Sequence, residues 1–106
     1  MGYRYMRIII FFDLPTTTSA DLREYRNFRK EIIKLGFMML QESVYVRLAL
    51  NKTVESSIIN KVKSIRPPKG LVQILSVTEK QFSSMETIVG EVSSETLDTD
   101  DRMVIL

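Results

Sequence analysis

Residues 6–13 read MRIIIFFD, five consecutive large apolar residues closed by an aspartate. A run this short, rich in β-branched and aromatic side chains, predicts a strand. Met6, Ile8, Ile10 and Phe12 would take one face, and Ile9 and Phe11 the other. Apolar residues on both faces call for a central strand covered on both sides, or for one face used in association. Leu14-Pro15 ends it, because Pro15 has no N–H to give to a ladder.

Downstream of this strand, Thr16–Ser19 is a hydroxyl-rich loop with helix-start character. Thr18 and Asp21 fit the capping pattern in which each side chain serves the other's free N–H. The helix is expected from about Ala20 to Leu35 and stops at Gly36, which tolerates a left-handed C-cap. Leu22, Tyr25, Phe28, Ile32 and Leu35 recur at three- and four-residue steps as its buried stripe. In FMMLQESVYVRLAL (37–50), Val44, Val46 and Leu48 alternate with Tyr45 and Arg47, a half-buried strand, and Gln41-Glu42-Ser43 predicts a hairpin or bulge. Asn51-Lys52 is a turn, with Thr53 as the expected cap of a second helix running to about Ile65 on a stripe of Val54, Ile58, Val62 and Ile65. Pro67-Pro68 stops it, and Leu71–Thr78 is another strand.

The order β-α-β-β-α-β predicts the α+β, ferredoxin-like plan of one antiparallel sheet with two helices on one face. Glu79–Met85 reads as a short helical turn and Thr87–Val92 as a fifth strand. A ferredoxin-like unit is complete by residue 78. The extra strand is therefore expected to pair across a homodimer, where it would close an exposed edge. Residues 1–92 make one domain on this reading, and 93–106 an acidic linker followed by a short apolar strand.

Composition excludes several chemistries. The chain has no Cys, hence no disulfide, thiolate nucleophile or Cys-based zinc site. It has no His, the usual acid/base group near neutral pH. Catalysis, if present, falls to carboxylates, Lys, Tyr or backbone, with a hard ion such as Mg²⁺ or Mn²⁺. No apolar run is long enough to span a bilayer, and the start is too short and polar for a signal peptide, so no membrane partner and a cytoplasmic location are expected.

Charge is uneven: residues 1–80 hold 14 Lys/Arg against 7 acids, and residues 81–106 one Arg against six. A basic body suits a polyanion, though two solvated surfaces of opposite sign would look the same. Arg23, Arg26, Lys30 and Lys34 form a stripe along the first helix, and Arg29 widens it. Arg47, Lys61, Lys63, Arg66 and Lys69 are further candidates for binding phosphates, which carry no base code and predict duplex backbone read by shape. Tyr3, Tyr25 and Tyr45 read as packing residues. Asp98, Asp100 and Asp101 read as a solvated linker. Asp13 has two readings on sequence alone, a capping acceptor for the following Thr-rich loop or a functional ligand.

These strings in this order resemble the CRISPR-associated protein 2 family. The carrying features are IIIFFDLP with Asp13, an Arg/Lys-rich first helix ending in Leu-Gly, the string Gln41, Ser43, Val44, Tyr45, and the later VTEKQF…IVGE. The likeness spans about residues 4–92. The chain's length and its acidic, apolar-ended tail resemble the subgroup accompanying Cas9-type systems. The resemblance implies a ferredoxin-like homodimer that binds duplex DNA, or RNA, and partners the CRISPR integrase subunit in spacer acquisition. It also implies a metal-dependent endonuclease activity, with Mg²⁺ or Mn²⁺ as cofactor. The matching aspartate is the family's metal ligand, which makes Asp13 the catalytic and metal-binding candidate, paired with its copy across the dimer axis. Phe12 stands where many relatives have tyrosine. The competing readings are a stand-alone toxin-type ribonuclease and a ferredoxin-like regulatory ligand-binding module.

Overall fold

The computed structural model describes residues 5–91. The elements are β1 (Met6–Asp13), α1 (Ser19–Lys34), β2 (Met38–Gln41), β3 (Val44–Ala49), α2 (Lys52–Ser64), β4 (Leu71–Thr78) and α3 (Glu79–Ser83). All pairings are antiparallel and the sheet order is β2-β3-β1-β4, the ferredoxin-like arrangement. β1 lies inside the sheet, as its doubly apolar sequence requires. Ile8, Ile10 and Phe12 pack with Phe28 and Ile32 of α1 and with Ile58 and Val62 of α2. Ile9 points the other way and joins Val46 and Phe82, so the short α3 covers part of the face that α1 and α2 leave free of helix. Arg7 fastens that cover through two hydrogen bonds to Glu79, at 2.6 and 3.0 Å, and lies 4.6 Å above the Phe82 ring.

Helix α1 begins where its cap predicts. The Asp21 amide donates to Thr18 Oγ1 at 3.0 Å, and the Thr18 amide donates to Asp21 Oδ2 at 3.2 Å. Gly36 takes φ +96° just past the helix end. The hairpin falls at Glu42-Ser43, with an irregular register between Met39 and Gln41.

Several expectations need correction. The cap of α2 is Asn51, whose side-chain oxygen accepts from the Val54 amide at 2.9 Å, and Thr53 lies inside the helix. Leu22 is 37% exposed and lies outside the buried stripe of α1, whose first turns are covered through Asp21 and Tyr25 instead. On β3 the core takes Tyr45, fully buried, along with Val46 on the other face, so the strand is not half-buried in its middle. Apart from these corrections, residues 87–91, expected to pair across a homodimer, take no regular structure in the single chain. Ile88 and Val89 are 85% and 89% exposed, with no edge of the chain's own sheet alongside them. Tyr3, Val92 and the tail at 93–106 lie outside the described residues.

Gly70 holds the start of β4 against the end of β1. It has φ +100°, and a Cβ there would fall 2.7 Å from Leu14 Cδ2 and 3.0 Å from the Asp13 carbonyl oxygen. Only glycine meets both demands without displacing the segment that carries Asp13.

Two expected outcomes follow from this geometry. Thr18→Ala removes the α1 cap and should cost about 1 kcal/mol, read as a melting midpoint roughly 4–8 °C lower by calorimetry. Gly70→Ala should cost more than Gly90→Ala. Gly90 also has positive φ (+109°) but faces open space, so equal losses in urea unfolding would show that only backbone conformation matters. A pH test uses Asp21. The Thr18 amide, aided by Lys69 at 3.5 Å and opposed by desolvation, holds its pKa below the ordinary 3.8. Its contribution to stability is present above 3.8 and is lost as pH falls through the lower folded value. Asp21→Asn should therefore flatten the acid side of the stability–pH curve.

Candidate nucleic-acid interface and carboxylate site

Asp13 closes β1 opposite Leu71. Strand alternation puts it on the helix-free face with Phe11 and Ile9, while Phe12 points into the core. There it borders a shallow hollow of ≈ 250 Å³ with Phe11, Ser43, Val44, Leu71 and Gln73. The position is set by β1's pairing on both sides, by the Phe12 amide donating to the Ser43 carbonyl at 3.1 Å, and by Gly70 beneath.

Among the described residues, the Asp13 carboxylate accepts no hydrogen bond and joins no ion pair. Of its two sequence readings, the capping one is not realised, since Thr18 and Asp21 cap α1 between themselves. Nor do the described residues bring three or more His, Asp or Glu together as a metal cage. One exposed carboxylate is an oxygen donor of the right kind for Mg²⁺ or Mn²⁺, but too little to hold such an ion alone. A second copy of the same face would add a second carboxylate.

The basic stripe is divided by its interactions. Arg23, Arg26, Arg29, Lys30 and Lys34 are all exposed along α1. Arg29 Nε donates to the hydroxyl of buried Tyr45 at 2.6 Å, and Lys34 lies 3.6 Å from Glu31. Arg23, Arg26 and Lys30 have no acidic partner among the described residues. Of the further candidates, Arg47 is withdrawn. Its guanidinium donates to the Leu35 carbonyl at the α1 C-terminus and packs on Gly36, a structural cap. Lys69 is bound to Asp21 at 3.5 Å. Lys61, Lys63 and Arg66 remain exposed and, among the described residues, without an acidic partner on and just beyond α2.

The structure thus separates the two halves of the candidate site. The unpaired cations of α1 and α2 stand on the helix side of the sheet and Asp13 on the opposite side, where α3 carries one further exposed cation, Lys80. Sequence reading missed Arg7, whose isolation inside an apolar strand was the available signal for a partly buried ion pair. It also could not see that the face around Asp13 is apolar. Phe11 and Leu48 are partly exposed there, and Leu71 and Leu75 are 54% and 52% exposed. Phe12 lies within an aromatic group with Tyr25, Phe28 and Tyr45 at centroid distances of 5.4–6.0 Å, so the residue before the aspartate serves the core. No helix among the described residues is long and apolar enough to cross a membrane.

Comparison with known proteins agrees with this architecture. Residues 6–85 match the family described as CRISPR associated protein Cas2. A protein named CRISPR-associated endoribonuclease Cas2 from Treponema denticola is 50% identical over 95% of this chain and its own whole length. One of the same name from Ligilactobacillus salivarius is 44% identical, again over 95% of this chain and all of its own. A solved structure described as cas2 matches with TM-score 0.58 at 21% identity, over 85% of this chain and 92% of that one, which supports the fold. From the β-α-β-β-α-β order, the aspartate ending β1 and these matches along nearly its whole length, the chain belongs to the CRISPR-associated Cas2 family.

Proposed function

We propose that the chain acts as a homodimer that binds nucleic-acid backbone as a subunit of the CRISPR spacer-acquisition complex. It carries a metal-dependent phosphodiesterase centre in which each copy contributes Asp13. The observation that carries this reading is the Asp13 carboxylate, without a partner among the described residues and set at the rim of an apolar, helix-free sheet face. Burial of that face against a second copy removes Phe11, Leu71 and Leu75 from water and draws the two carboxylates toward a common axis. The exposed strip at 87–91 supports the same arrangement, with Thr87–Val92 pairing with an edge of the partner's sheet.

Within such a centre the two Asp13 side chains would hold Mg²⁺ or Mn²⁺ as oxygen ligands. When bound, the ion polarises a phosphoryl oxygen and lowers the pKa of an attacking water. Gly70 and the paired end of β1 keep the carboxylate in place, and Ser43 offers a hydroxyl donor to a phosphate oxygen at the same hollow. Arg23, Arg26 and Lys30 supply the backbone platform on the other side of the sheet, read through charge and shape. The integrase subunit of the same complex is the macromolecular partner. A second reading, a ribonuclease acting alone, is favoured by the names of the T. denticola and L. salivarius relatives, endoribonucleases, and shares the Asp13 centre.

Opposite placement of cations and carboxylate makes the two roles separable. Asp13→Asn should abolish Mg²⁺-dependent cleavage and leave duplex binding and its salt slope unchanged. Replacing Arg23, Arg26 and Lys30 by Ala should weaken duplex binding and reduce the salt slope by about one for each phosphate no longer neutralised. Cleavage and filter-binding assays on matched RNA and duplex DNA check both. If RNA alone is cut and duplex DNA is not bound, the stand-alone ribonuclease reading replaces the scaffold. If Asp13→Asn still cleaves, the assigned centre is wrong.

A further inference from the structure

Gln73 stands on the Asp13 face of the sheet. β4 sends Val72 and Ile74 into the core beneath the helices, so Leu71, Gln73 and Leu75 project from the opposite face. Leu71 is the register partner of Asp13, and Gln73 that of Phe11. Gln73 is therefore the diagonal neighbour of Asp13 on one face, a backbone separation of about 7–8 Å that a long side chain bridges. Asp13 and Gln73 line the same hollow of ≈ 250 Å³. Gln73 is exposed, and among the described residues its carboxamide makes no hydrogen bond.

Its same-face neighbours along β4, Leu71 and Leu75, are apolar, as is Phe11 across from it. Covering this face with a second copy desolvates the carboxamide, which then needs a partner. The substrate of the Asp13 centre supplies one. The hollow is smaller than the roughly 300–1,000 Å³ of sites that enclose a whole small ligand, so it takes a phosphate and the edge of its sugar rather than a base. A ribose 2′-hydroxyl both donates and accepts, as a carboxamide does, and it is the group that distinguishes RNA from DNA. Deoxyribose offers neither and leaves the carboxamide unpaired.

We infer that Gln73 selects ribose over deoxyribose at the Asp13 centre, its carboxamide hydrogen-bonding the 2′-hydroxyl of the nucleotide whose phosphate lies at Asp13. This role rests on the Asp13 centre proposed above and decides which nucleic acid that centre cuts. Gln73 reads the sugar, while cleavage stays with the Asp13 pair. A site arranged to pair with a hydroxyl rejects the analogue that lacks it.

Gln73→Met keeps the side chain's length and removes both of its hydrogen-bonding groups. The first probe is a short single strand of one sequence, made as RNA and as DNA, titrated without divalent ion into full-length protein ¹⁵N-labelled on glutamine. RNA should shift the Gln73 side-chain amide signal, assigned by its loss in Gln73→Met, and DNA should leave it in place. With Mg²⁺ or Mn²⁺ added, kcat/KM of the wild type should favour RNA by about tenfold or more, the worth of one hydrogen bond. In Gln73→Met that preference should disappear through slower RNA cleavage, with DNA cleavage and the melting midpoint unchanged. Equal shifts by both strands, no shift by either, or an RNA preference that survives in Gln73→Met overturns the inference. Cleavage by Asp13→Asn overturns the Asp13 centre instead, and the metal-free shift of Gln73 reads the sugar contact separately from it.

Discussion

The structure depends on one constraint: β1 must be covered on both faces and paired on both sides. Ile8 and Ile10 are fully buried against the helices, and Ile9 is buried on the other side beneath Phe82. Burying each such side chain is worth roughly 1.5–3 kcal/mol, enough to dictate where neighbouring elements go. β3 and β4 flank the strand in antiparallel register along nearly its whole length. A strand so fixed makes a rigid support for what stands at its end, and Asp13 stands there.

The same strand sets the polarity of the molecule. Its odd and even residues serve different layers, so a single step from Phe12 to Asp13 passes from the aromatic core to the opposite surface. Both long helices occupy one layer, and the cations they carry stay with them. Among the described residues the other layer holds only α3, clasped by Arg7 to Glu79, and leaves an apolar strip next to the carboxylate. The cations of the two long helices and the carboxylate are thereby kept on opposite surfaces.

Counting cations overstates the basic surface. Arg7, Arg29, Arg47 and Lys69 are committed to Glu79, Tyr45, the α1 C-terminus and Asp21 respectively. Each of these interactions supports an element boundary or a buried polar atom, where a missing partner would leave a desolvated group unpaired. Among the described residues, Arg23, Arg26 and Lys30 on α1, Lys61, Lys63 and Arg66 at α2, and Lys80 on α3 are left for external anions.

Much of the architecture was legible in the residues because it rests on local chemistry. The period-two run at 6–13, the Thr18/Asp21 cap, the stop at Gly36 and the Pro67-Pro68 break each act over a few residues, and the elements followed within one or two positions. The α2 cap was misplaced because Asn51 and Thr53 are both good caps, and only the path of the chain out of β3 selects between them. The resemblance singled out Asp13 as the candidate carboxylate, but its place at the end of an apolar strand left open whether it was free or a cap. The sequence by itself determined the order and kind of elements and the residue types available for chemistry. Only the tertiary structure decided which face Asp13 occupies, which cations are already spent, and that 87–91 finds no edge of its own, because those outcomes depend on how segments far apart in the chain meet.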